Sequence, residues 1–158
     1  MTTPSIADTY FTIPELMRVA RGSYKRAVDV QLAADGLEDL PTGSGFLLGY
    51  LIDEESAAGK MERLGIKQAE FRKLVDTLVL RGYVARATDP ASGAVSLSLT
   101  GRGHAASDAT AAGVTFVDEE LERRLSPAEM AGLRRGLAEL GEIKRSLPGP
   151  VLRRGLPT

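Results

Sequence analysis

Several polar side chains between residues 60 and 86 are of the types that bind nucleic acids. Glutamine can pair with adenine through two hydrogen bonds and arginine with guanine, whereas lysine suits the backbone phosphates. Seven basic residues stand against three acidic ones there, so the segment carries a net charge of +4. The candidate DNA contacts are Lys60, Lys67, Gln68, Arg72, Lys73 and Arg86. Because ordinary solvated helix faces carry the same residue types, the surrounding elements must decide between the two interpretations.

Residues 101–106 match a different pattern, the G-x-G-x-x-A loop that holds dinucleotide phosphates. That loop requires a second parallel strand with an acidic residue at its end, and here the acids at 118–120 lie inside a continuing helical pattern. The preceding strand alternates as V-S-L-S-L, unlike a strand buried on both faces. We therefore predict no nicotinamide or flavin cofactor and interpret the glycines as easing the entry from strand into helix.

Metal and nucleophile chemistry also find little support. His104 is the one histidine and there are no cysteines, which excludes a two-histidine metal site, a thiolate zinc site and a disulfide within one protomer. A serine–histidine–acid triad can be drawn with Ser107 or Ser44, but the sequence contains no G-x-S-x-G elbow. We predict no metal, no cofactor and no enzymatic activity.

The elements that must position the polar side chains form one ordered group. A helix over 57–64, a turn at Gly65 and a second helix over about 67–81 are followed by Gly82 and two strands, 83–88 and 95–99. The hairpin tip between the strands carries Pro90 and Gly93. This order predicts a helix-turn-helix with a wing, which presents its second helix to a DNA groove.

Longer helices flank the winged unit. Thr12 with Glu15, and Ser126 with Glu129, are capping-box pairs that predict helix starts, and Thr100 can cap a third helix running to about residue 124. A short apolar helix is expected over 46–52. The apolar stripe of the third helix comprises Ala105, Ala109, Ala112, Phe116, Val117, Leu121 and Leu125. On the last helix the inward residues are expected to be Met130, Leu133, Leu137, Leu140 and Leu147.

The stretch over 60–103 resembles the MarR (multiple antibiotic resistance regulator) family of bacterial transcriptional regulators. The resemblance is carried by Leu64-Gly65-Ile66, Leu74-Val75-Asp76 with Leu78, Arg81-Gly82-Tyr83-Val84 with Arg86, and Leu99-Thr100-x-x-Gly103. The order of the flanking helices and their Leu-Ser-Pro-Ala-Glu junction extend it to roughly residues 10–147. The fold expected is mainly α with a small two- or three-stranded antiparallel wing, a winged helix-turn-helix flanked by dimerisation helices.

The resemblance also implies a function. Members of the family are homodimers that place two recognition helices on a palindromic DNA operator, usually as repressors. Small aromatic or anionic ligands bound between the dimerisation and DNA-binding parts often release them. The candidate effector residues here are Arg18, Arg21, Tyr24 and Tyr50. We expect a cytoplasmic protein, since no apolar run is long enough to span a membrane and the N-terminus lacks signal-peptide features.

These interpretations divide the chain into three parts. Residues 1–11 are expected to form a disordered arm and residues 148–158 a mobile tail. Between them, 12–147 form one winged-helix domain, with dimerisation helices at 12–35 and 100–147 and the DNA-binding winged unit at 42–99.

The wing departs from the family pattern. Family members usually carry Asp-x-Arg at the wing tip, whereas this tip reads Asp-Pro-Ala-Ser-Gly-Ala, with no basic residue between Arg86 and Arg102. A cation that would contact phosphate or the minor groove is therefore missing. The alternative function is a winged-helix dimer that has lost DNA binding and serves as a protein-interaction or ligand-binding module.

Overall fold

The computed structural model describes residues 6, 10–52, 59 and 62–148. Within these ranges the chain forms five helices and one hairpin. The helices are α1 (Ile13–Ala34), α2 (Gly45–Ile52), α3 (Gln68–Leu80), α4 (Gly101–Arg124) and α5 (Pro127–Ser146), and the strands are β1 (Val84–Thr88) and β2 (Val95–Leu99). Half of the predicted helix over 57–64 and most of the arm over 1–11 and of the tail over 148–158 lie outside the described residues; within the predicted helix, residues 59, 62 and 63 are helical.

Helix α1 begins and ends as its sequence predicts. The Thr12 backbone N–H and hydroxyl both donate to the Glu15 carboxylate, at 2.8 and 2.7 Å, which satisfies a donor that the helix leaves unpaired. At the other end the Leu37 N–H donates to the Leu32 carbonyl and the Gly36 N–H to the Ala33 carbonyl. These two bonds form a Schellman motif. They stop the helix where the sequence indicated.

Helix α3 is framed by two glycines that need a left-handed backbone. Gly65 has φ +76° in the turn before the helix, and Gly82 has φ +75° just after it, a region that side chains with a Cβ rarely adopt. The Tyr83 N–H then donates to the Leu78 carbonyl at 2.9 Å, and the chain turns directly into β1. Strands β1 and β2 pair antiparallel, with Val84 opposite Leu99. The helix, turn and two-stranded wing are confirmed.

The core lies where α1, α2 and α4 meet the inner face of the winged unit. Leu47, Leu48 and Leu78 are fully buried there. The buried face of α4 consists of small residues, namely Gly103, Ala106, Ser107, Ala109 and Gly113. The buried face of α4 therefore differs from the predicted apolar stripe, which includes bulky residues. Phe116, the largest residue of that stripe, is more than half exposed. Gly113 is buried where α1 crosses α4 at close range, whereas Gly103 is buried against the backbone of Tyr83.

Helix α5 differs from expectation. Met130 is buried, but Leu133, Leu137, Leu140 and Leu147 are all exposed in the protomer. The sequence correctly indicates an apolar stripe, yet periodicity alone does not tell which surface covers it. On α1, Ile13, Leu16 and Met17 are exposed in the same way. In the part of the chain that the structure describes, no helix is long and apolar enough to cross a membrane.

Gly113 provides a test of the close helix crossing. A Cβ at this position would lie 2.7 Å from the Val28 Cα, whereas a Cβ on the exposed helical Gly49 would meet nothing within 4 Å. We expect Gly113→Ala to lower the free energy of unfolding by about 1–3 kcal/mol through overpacking. Gly49→Ala should instead raise it by about 0.5–1 kcal/mol through helix propensity. Urea denaturation at one protein concentration measures both, and a Gly113→Ala variant as stable as the parent would contradict the crossing.

Candidate nucleic-acid interface

Helix α3 exposes a polar face on the side opposite the core. Phe71 and Leu74 are half-buried and Val75 is buried, whereas the polar candidates all lie on the exposed side. Those candidates are Lys67, Gln68, Arg72 and Lys73. Lys67 is the N-cap residue of the helix. Lys67 and Gln68 therefore lie at the N-terminal end of α3, which is the end that carries the positive pole of the helix dipole.

The cations of this face are unpaired. Among the described residues, none of Lys67, Arg72 and Lys73 has an ion-pair partner, so their charges face solvent. The other two predicted contacts, Lys60 and Arg86, are not exposed cations of α3. Lys60 lies outside the described residues. Arg86 lies on β1, and its guanidinium donates to the Asp76 carboxylate of α3 at 2.6 Å. This pair joins the wing to α3 and engages the one cation of the hairpin.

Hydrogen bonds within the wing tip hold it in an ordered turn. The Asp89 carboxylate accepts the Ala91 N–H at 2.9 Å and the Ser92 hydroxyl at 2.6 Å, and the Gly93 N–H donates to the Asp89 carbonyl at 2.8 Å. These bonds hold the pKa of Asp89 below its usual value, with the Ser92 hydroxyl as the largest cause. The tip is thus an ordered turn with a persistent negative charge, which disfavours close approach to phosphate.

A cluster behind α3 has no counterpart in the sequence-based prediction. The Asp39 carboxylate accepts the Tyr83 hydroxyl at 2.5 Å and pairs with the Arg102 guanidinium at 2.6 Å. Arg102 also donates to the Arg81 carbonyl at 2.8 Å and lies 4.5 Å from the centre of the Tyr83 ring. We call Asp39, Arg81, Tyr83 and Arg102 the Asp39 junction. No motif signals it, because its members are up to 63 residues apart.

The G-x-G-x-x-A pattern has a packing explanation. A Cβ on Gly103 would overlap the Tyr83 carbonyl oxygen and lie 3.1 Å from its carbonyl carbon. The Gly103 N–H donates to the Thr100 hydroxyl at 3.0 Å, and the Thr100 hydroxyl donates to the Gly82 carbonyl at 2.6 Å. The glycine therefore lets α4 begin against the backbone that follows α3. The pattern does not form a phosphate loop.

Two cavities flank α1, and they contain half of the candidate effector residues. One, of about 510 Å³, lies between α1, the loop over 35–44, α2 and α4, and Arg21 and Tyr24 both line it. The other, of about 650 Å³, lies between α1 and α4 and also includes Tyr24. Arg18 and Tyr50 line neither. Tyr50 instead packs edge-on against Phe46, with ring centroids 6.0 Å apart.

Tyr24 joins α1 to α4 between the two cavities. Its hydroxyl donates to the Asp118 carboxylate at 2.6 Å. Burial of the ring and this hydrogen bond raise the pKa of Tyr24 to about 12. The hydroxyl is already engaged by an acid, so a bound anion would find at Tyr24 an aromatic wall and not a free donor.

The Tyr24–Asp118 bond predicts a pH dependence of stability. The raised pKa means that the folded state favours the neutral phenol, so this stabilisation is complete below the ordinary value of 10 and is lost as the pH rises toward 12. Tyr24→Phe removes the hydroxyl, and we expect it to lower the free energy of unfolding at pH 7 by about 0.5–1.5 kcal/mol. The deficit should vanish by pH 12. Urea titrations of both proteins across this range measure it, and a deficit that stays constant would contradict the assignment.

Solved structures share this fold over most of the chain. The MepR–DNA complex of S. aureus matches with a TM-score of 0.65 at 20% identity, covering 83% of this chain and 97% of that one. PcaV from Streptomyces coelicolor, in complex with its natural ligand, matches with a TM-score of 0.61 at 17% identity, covering 90% and 98%. A MarR-family regulator from Rhodococcus sp. RHA1 gives 0.59 at 21% identity, covering 88% and 98%. No protein-family model and no curated protein sequence matches the chain.

The likeness extends beyond the winged unit. Each of these regulators is covered almost end to end, so the match includes the long helices before and after the wing as well as the wing itself. The order found here, with α1 and α2 before α3 and with α4 and α5 after the hairpin, is the order that the sequence resemblance implied. The chain therefore has the winged-helix fold of the MarR-family transcriptional regulators.

Proposed function

We propose that this protein is a cytoplasmic, homodimeric, sequence-specific DNA-binding transcriptional regulator that represses until a small ligand releases it. The observation that carries the proposal is the exposed face of α3, with three cations that have no ion-pair partner among the described residues and with Gln68 beside them. Gln68 and Arg72 are assigned to base edges, and Lys67 and Lys73 to phosphates. The sharp turn at Gly65 and the hairpin after Gly82 supply the frame that such a helix needs.

The exposed apolar residues of α1 and α5 support a homodimer. Leu133, Leu137, Leu140 and Ile143 follow each other at helical spacing on α5, each at least a third exposed. Ile13, Leu16 and Met17 add a second apolar stripe on α1. Contiguous apolar surface of this kind marks an association site. A second copy of the chain would cover it and, through two-fold symmetry, set two recognition helices about 34–36 Å apart.

The solved relatives support DNA and a ligand as the partners. MepR was solved on DNA, and PcaV was solved with its natural ligand. In this chain, the cavity of about 510 Å³ between the long helices and the winged unit is the proposed ligand site, with Arg21 as the proposed contact for an anion and Tyr24 as an aromatic wall. Lys25, Asp29 and Glu38 also line it. A panel of aromatic acids added to the DNA complex tests this part, since a ligand that favours the unbound form must release DNA.

The second candidate is a winged-helix dimer without DNA binding. Two observations favour it: the wing tip carries the persistent charge of Asp89, and Arg86 is held by Asp76. Both remove contacts by which a wing normally holds DNA. This candidate retains the dimer and the cavity and differs only in what α3 contacts.

Selection from a pool of random duplex DNA, sequenced at two salt concentrations, separates the two candidates. Enrichment of an inverted repeat, with affinity falling as salt rises, would establish sequence-specific binding through phosphate contacts. No enrichment from a folded dimer would favour the interaction module. The dimer is verified first by sedimentation, so that a loss of DNA binding is not confused with a loss of assembly.

Arg72 is the arginine of α3 that we assign to a base edge. We expect Arg72→Ala to weaken binding to the selected operator by about 1–3 kcal/mol, because a two-pronged contact to a base is lost. The fold and the dimer should be unchanged. Arg123→Ala is the matched control, since it removes the same charge from the far end of α4, where the guanidinium lies 2.5 Å from Glu120. Fluorescence anisotropy measures both, and equal affinities would remove Arg72 from the interface.

Leu137 tests the dimer surface. It is 48% exposed in the protomer, so a charge there costs the folded protomer little but would be buried without a partner in a dimer. We expect Leu137→Glu to sediment as a monomer with unchanged helix content. The control is Leu80→Glu on α3, where the leucine is 87% exposed and lies on the face assigned to DNA. If Leu137→Glu remains dimeric, the two copies must meet through another surface.

A further inference from the structure

We infer that Asp39 is a positioning residue for DNA recognition, which holds the C-terminal end of α3 against the start of α4. The inference rests on the proposed function, because it concerns the orientation of the helix assigned to the DNA groove. Asp39 itself lies in the loop over 35–44 and is remote in sequence from both helices. Its role follows from the three separate segments that it binds.

The side chain and the backbone of Asp39 both take part. The carboxylate accepts the Tyr83 hydroxyl at 2.5 Å and the Arg102 guanidinium at 2.6 Å, while the backbone carbonyl accepts the Arg81 guanidinium. Arg81 is the C-cap residue of α3, and Arg102 is the second residue of α4. A single residue thus contacts the C-cap residue of α3, the residue immediately before the first wing strand, and the first turn of α4.

One of the partners of Asp39 is buried. The Tyr83 side chain is fully buried, its hydroxyl donates to the Asp39 carboxylate and lies 3.5 Å from the Leu37 carbonyl, whereas Asp39 and Arg102 are partly exposed. Arg102 covers the Tyr83 ring at 4.5 Å and also donates to the Arg81 carbonyl. Charge-assisted hydrogen bonds to a fixed ring define an angle as well as a distance. A change at Asp39 is therefore expected to rotate or loosen the end of α3 without emptying the core.

The direction in which DNA affinity changes distinguishes a positioning role for Asp39 from a general effect of its charge. Removing a carboxylate makes the protein more positive, which by itself tightens binding to phosphates. If Asp39 positions α3, its neutralisation must weaken specific binding in spite of that. Asp108 is the matched control, because it is an exposed aspartate on α4 with no hydrogen bond or ion pair in the described part of the chain. Asp108→Asn and Asp39→Asn carry the same charge change.

The experiment compares the affinity of the intact dimer for its selected operator and for a scrambled duplex. We expect Asp39→Asn to lower operator affinity about 2- to 30-fold, the range seen for residues that couple to a site without touching its ligand. Scrambled-duplex affinity should stay level or rise, and Asp108→Asn should not lower operator affinity. Amide hydrogen exchange over residues 79–84 should be faster in Asp39→Asn than in the control.

A second variant keeps the test independent of folding. Tyr83→Phe retains the buried ring and removes the hydroxyl, which donates to Asp39 at 2.5 Å and lies 3.5 Å from the Leu37 carbonyl, so a smaller loss in the same direction is expected. Operator affinity and exchange rates that match Asp108→Asn in both Asp39→Asn and Tyr83→Phe would overturn the inference while leaving the regulator intact. If the parent protein selects no operator, the proposed function itself falls, and the inference falls with it.

Discussion

The close approach of α4 to the rest of the protomer is the constraint on which the other features depend. Gly103 admits the Tyr83 carbonyl where the wing begins, and Gly113 admits the α1 backbone at Val28. Any side chain at either position would push the long helix away from its neighbour. Because α4 leads into α5, these two contacts also determine where the exposed leucines lie relative to α3. One helix therefore connects the surface assigned to dimerisation with the surface assigned to DNA.

The loop over 35–44 has two faces with different neighbours. Glu38, Leu40 and Pro41 line the cavity of about 510 Å³, while Asp39 between them points to the end of α3. The cavity and the end of α3 are thus separated by a single backbone segment. Under the proposed function, a ligand in this cavity would contact the same loop that carries Asp39.

Local features of the fold were predictable from the sequence, and long-range ones were not. The capping box at Thr12, the turn at Gly65 and the end of α3 at Gly82 involve residues a few positions apart, so their spacing carries the information. The face of α4 was misjudged because its buried residues are small and carry little hydrophobic signal. The sequence predicts that the leucines of α5 face the core, but an apolar stripe does not by itself show which surface it packs against. The Asp39 junction left no pattern in the sequence.

The sequence predicted which residue types form the candidate site, but not which of their side chains are engaged in other contacts. The sequence selected the polar residues of α3, and the structure exposes the four that it describes on that helix and its N-cap. It did not indicate that Asp76 holds Arg86 or that the wing tip is closed by Asp89. Among the described residues, the one cation of the wing is Arg86, which pairs with Asp76. Under the proposed function, a second copy of the chain on one operator would add a second α3, and the two helices would gain from effective concentration because both bind within the same complex.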